Sequence, residues 1–78
     1  MNLPIVIVKW TDAHDDSTDW TPLADIDQDP YVVTTVGFRL PKGAKKGHVS
    51  VARSMGDGVL DAIIHIPQKM VISIESLG

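Results

Sequence analysis

The sequence contains no cysteine. No disulfide can staple the chain, and no thiolate is available to bind zinc or attack a carbonyl. The absence fits a reducing, cytoplasmic setting. Long apolar runs are missing too. The opening MNLPIVIVKW holds a four-residue run with no basic lead, so no signal peptide is expected. Nothing approaches the ~18 apolar residues of a membrane helix, and no membrane partner is expected. Net positive charge is also lacking. The formal charge is -3, which argues against sequence-blind nucleic-acid binding.

What is present is β-branched. Val59 to Gly78 reads VLDAIIHIPQKMVISIESLG, with Ile63, Ile64 and Ile66 before Pro67 and Val71, Ile72 and Ile74 after it. Such residues suit strands. Pro67 has a fixed φ and no N–H, so it divides the run into two strands around a tight turn at Ile66–Lys69. Upstream, Leu3 to Trp10 reads as a strand with Val6, Val8 and Trp10 on one face. Tyr31 to Leu40 reads as a second, with Val32, Thr34, Val36, Phe38 and Leu40 assigned to the core face and Tyr31, Val33, Thr35 and Arg39 to the other. Gly37 marks a bend or a close backbone approach. PKGAKKG is a hairpin loop. His48 to Met55 is the third strand, with Val49, Val51 and Met55 inward and His48, Ser50 and Ser54 outward. Gly56-Asp57-Gly58 signals a short hairpin. The fourth strand carries Leu60, Ala62, Ile64 and Ile66 on one side, and the fifth, Met70 to Leu77, turns Met70, Ile72 and Ile74 inward.

Thr11 to Pro30 is the long connection. Thr21-Pro22 is a helix-start signal, and Leu23, Ala24 and Ile26 would complete one short helical turn before Asp29-Pro30 stops it. A structureless loop of this length is unusual in so small a domain. Trp20, Leu23 or Ile26 is therefore expected to pin it to the core. The expectation is a single all-β domain over residues 1–78. It is a five-stranded small barrel with a long first loop and a 3₁₀ turn between the last two strands.

The strand order and the strand–IPQK–strand ending resemble the SH3-like and Sm-like small barrels, in which a single 3₁₀ turn separates the last two strands. A second resemblance is closer in sequence. VKWTDA, DPYVVTTVGF and HIPQKMVISIESL look like pieces of small uncharacterised proteins encoded by tailed bacteriophages. That resemblance brings no established activity. It implies a host bacterial cytosol and a role in host takeover or counter-defence.

The charge is unevenly placed. Asp12, Asp15, Asp16, Asp19, Asp25, Asp27 and Asp29 crowd one segment, and Arg39, Lys42, Lys45, Lys46 and Arg53 the next. Two solvated loops explain this split; a head-to-tail contact between copies is the sharper reading. No catalytic constellation stands out. There is no G-x-S-x-G, H-E-x-x-H or phosphate-loop pattern. His14 has acidic neighbours, but the D-x-D-x-D-G spacing of a calcium loop is missing, and neither a metal nor another cofactor is expected. His48 and His65 fall on strand faces away from the core and read as surface or interface residues. Trp10 and Phe38 belong to apolar faces; Trp20 and Tyr31 flank the long loop.

Binding is therefore expected over catalysis. In the first reading, the chain is a phage-encoded, homo-oligomeric interaction protein that engages a bacterial host protein through Asp15, Asp16, Asp19, Trp20 and Tyr31. In the second it is an Sm-like ring that binds nucleic acid or nucleotides through Lys42, Lys45, Lys46 and Arg53. The oligomer is expected from an apolar surplus: Val33, Ile63 and Val71 fall opposite the assigned core, joined by Ile5 and Ile7.

Overall fold

A computed structural model describes residues 2–12, 23–25 and 31–77. Five strands follow one another as β1 (Ile5–Asp12), β2 (Tyr31–Arg39), β3 (His48–Met55), β4 (Leu60–Pro67) and β5 (Val71–Ser76). They form one antiparallel sheet in the order β4-β3-β2-β1-β5. The fold is all-β.

β4 and β5 are consecutive in the chain yet lie at opposite edges of the sheet. A single 3₁₀ turn, Gln68–Met70, connects them. Three residues span only about 10 Å, so the two edges converge at that end and the sheet must be strongly bent. Pro67 ends β4 with extended dihedrals, φ -54° and ψ 128°. Its missing N–H is tolerable because β4 is an edge strand. Two contacts tie the turn down: Gln68 donates its backbone N–H to the Gly47 carbonyl at 2.9 Å, and Thr11 Oγ1 donates to the Met70 carbonyl at 3.4 Å.

The core is small. Val6, Val8, Trp10, Val49, Val51 and Ile66 form one cluster, with Val33 and Val71 packed against it. On β1 the inward face is the one the alternation gives, and on β3 Val49 and Val51 are buried as expected while Met55 is half-buried. On β4 only Ile66 is buried; Ala62 and Ile64, assigned to the same inward side, are exposed because no strand pairs beyond this edge among the described residues. Two others are corrected. On β2 the core face is Val33 and Thr35, while Val32 and Val36 are exposed. The pairing decides this: Trp10 sits opposite Val33 and Val8 opposite Thr35, and partners share a face. On β5 the pairing to β1 shifts register between Lys9 and Trp10. Trp10 opposes Val71 and Val8 opposes Ile74, which leaves Ile72 as the extra residue, outside and 58 % exposed. A bulge of this kind inverts parity along one strand. Val33 and Val71 therefore belong to the core and not to the apolar surplus.

Ser50 is a third correction. It is buried, as is Ala52, because β3 is flanked on both sides and the His65 ring hydrogen-bonds over the Ser50 hydroxyl. Leu23, in a 3₁₀ turn over Leu23–Asp25, is 83 % exposed and so does not anchor the loop by burial among the described residues. Trp20 and Ile26 lie outside the described residues.

β2 and β3 pair only at Phe38–Ala52 and Arg39–Val51. At Gly37 the approach to β3 leaves no room for a side chain: a Cβ there would run into the Ala52 carbonyl oxygen and sit 2.8 Å from a Val51 methyl. Beyond this point the β1–β2 and β3–β4 arms part. Between them lies a cleft of about 250 Å³, lined by Thr35, Val36, Val51, Arg53, Ala62 and Ile64.

Candidate functional site

The most chemically defined surface is the β2–β3 loop, where the chain turns between Arg39 and His48. Gly43 and Gly47 take φ of 87° and 74°, a region side chains disfavour, so glycine suits both corners. Ala44 donates to the Pro41 carbonyl and His48 to the Lys45 carbonyl, each at 3.1 Å. Because Gln68 is hydrogen-bonded to Gly47, the β4–β5 turn docks against this loop.

Together they enclose a cavity of about 160 Å³ lined by, among others, Arg39, Lys42, Lys45, His48, Ser50 and Gln68. Three of these are fixed cations, and among the described residues no carboxylate lines the cavity. A net-negative chain thus presents a cationic recess with room for a phosphate-sized anion. Arginine supplies a planar fork for such a group and lysine a point charge.

The residues expected to act together are only partly brought together. Lys42 and Lys45 line the recess, and Lys46 is in the same loop. Arg53 is exposed further along β3 and lines the separate cleft with Ala62 and Ile64. Tyr31 is 55 % exposed and pairs with Asp12 across β1–β2. Asp15, Asp16, Asp19 and Trp20 lie outside the described residues. Arg39 was counted in the basic segment but not among the phosphate-binding residues, and Gln68 was not legible as a site residue. The only sequence sign of Gln68 is its place in the IPQK break, which here forms the turn facing the lysine loop.

Beside the recess, His65 Nδ1 lies 2.6 Å from Ser50 Oγ. The contact has the spacing of a nucleophile and its base. Ser50, however, is 4 % exposed, so its hydroxyl is not presented to a substrate. The His48 ring stands 6.4 Å from that of His65, nearly perpendicular at 85°. Among the described residues no three His, Asp or Glu side chains come together as a metal cluster. No helix among them is long and apolar enough to cross a membrane.

These features define a small all-β domain with a cationic recess and two sheet edges left unpaired among the described residues. No family model, curated protein or solved structure matches the chain.

Proposed function

We propose that the chain is a non-enzymatic interaction protein that works as a homo-oligomer, with β4 of one copy meeting β5 of the next. The observation that carries this reading is the state of the two edges. Among the described residues β4 pairs only with β3, and β5 only with β1. Each edge exposes large apolar side chains: Ile63 and Ile64 on β4, Ile72 and Ile74 on β5. Unpaired edges of this composition are what soluble proteins cover or pair. Across the described residues seven apolar residues are buried against eleven large ones exposed, a balance that favours a partner surface. The short link between the edges supports a sheet curled into a small barrel of the SH3-like or Sm-like kind.

On the bacteriophage resemblance, the target is a bacterial host protein in the host cytosol, engaged through the acidic segment and Trp20. Tagged protein should recover one saturable partner from bacterial lysate, and Trp20→Ala should lose it. Recovery unaffected by Trp20→Ala and by replacement of Asp15, Asp16 and Asp19 would remove this contact.

The cationic recess favours a second reading, a binder of phosphate-bearing ligands such as nucleotides or nucleic acid. Salt-sensitive retention of RNA or DNA that Lys42→Glu with Lys45→Glu abolishes would support it. Retention unchanged by both substitutions would exclude the recess as the contact.

A further inference from the structure

We propose that His48 and His65 form a two-histidine site for a divalent transition metal, with zinc as the reference ion. The two residues are seventeen apart in sequence and meet because of the β3–β4 register. Ser50 pairs with His65 and His48 with Pro67, so His48 and His65 are diagonal neighbours on one face. Their rings lie 6.4 Å apart. With zinc–nitrogen bonds of 2.0–2.1 Å and a tetrahedral angle, two bridged rings stand roughly 5 Å apart. His65 is exposed and His48 half-buried at the surface, and the rings would have to approach by about 1 Å to share one ion.

The stronger point is which nitrogens are free. His48 Nδ1 is 2.8 Å from the Lys46 carbonyl oxygen. A carbonyl can only accept, so Nδ1 carries the proton and the neutral ring keeps its lone pair on Nε2. His65 Nδ1 is held by Ser50 Oγ at 2.6 Å. With the proton on Nδ1 donated to that oxygen, Nε2 of His65 is also free. Metal-binding histidines are oriented in this way, the distal ring N–H tied to a carbonyl or hydroxyl while the other nitrogen ligates. One anchor is the backbone of the β2–β3 loop and the other a buried serine. Two imidazole nitrogens without a carboxylate select zinc, copper or nickel over calcium and magnesium. Water completes the coordination.

The test uses the untagged full chain and zinc chloride, by calorimetric titration together with imidazole nitrogen NMR. One saturable site is expected, with the Nε2 resonances of His48 and His65 moving together. His48→Asn and His65→Asn each keep a polar group at the Nδ1 position and remove Nε2; each should weaken binding at least tenfold with the circular dichroism unchanged. Ser50→Ala, which frees the His65 ring, should weaken it about tenfold. His14→Asn should leave it unaltered. The proposal is overturned by no saturable binding, by binding that survives either strand substitution, or by binding that depends on His14.

Discussion

Trp10 donates its indole N–H to Thr35 Oγ1 at 3.0 Å, across the β1–β2 pair and in the wall of the core. The indole is 7 % exposed, so water offers little substitute. The bond also explains why a threonine sits on the core face of β2. Thr35→Val keeps the shape and removes the acceptor, leaving a buried donor unpaired. It should cost about 1–3 kcal/mol, read as a lower urea midpoint by far-UV circular dichroism. Thr35→Ser should recover most of the loss. Equal midpoints for Val and wild type would show that the bond does not contribute.

Gly37 is required by contact and not by dihedral. The obstacle to a Cβ is the Ala52 backbone, which has no rotamer to yield. Gly37→Ala should therefore destabilise by about 2 kcal/mol or separate β2 from β3. Amide hydrogen exchange distinguishes the two, since separation exposes the Phe38–Ala52 pair first.

Ala62 has φ of 53° within β4. A left-handed alanine costs about 1–2 kcal/mol, and glycine removes that cost. Ala62→Gly should therefore raise the urea midpoint, although glycine in an ordinary strand position lowers it. A lower midpoint would mean that Ala62 does not hold this conformation in solution.

Much of the fold was legible because alternation and turn chemistry agreed. His48–Met55 was bounded to the residue, and Pro67 marked the interruption of the last apolar run, although the turn begins at Gln68 and not at Ile66. The phase of β2 was not legible. Val32-Val33 and Thr34-Thr35 are near-duplicates, so either face reads as apolar, and the pairing to Trp10 and Val8 decides. The phase of β5 was lost to the bulge at Ile72, which no glycine marks. The recess was half visible. Lys42 and Lys45 stand out in PKGAKKG, but Gln68 reaches them only through a hydrogen bond to Gly47. The histidine pair depends wholly on β3–β4 register, which spacing does not disclose.

The edge strands offer a direct substitution. Ile63 on β4 and Ile72 on β5 are exposed and outside the core cluster. A lysine at each is the ordinary protection of a strand edge. Ile63→Lys with Ile72→Lys should leave the circular dichroism spectrum intact and reduce the molar mass in solution. An unchanged mass would place the contact between copies elsewhere.

The most direct measurement is the molar mass of the untagged, wild-type chain by light scattering across a concentration series. Edge-to-edge assembly is expected to give a discrete multiple of 8.5 kDa that persists on dilution through the micromolar range. A single species at 8.5 kDa up to the highest soluble concentration would contradict it.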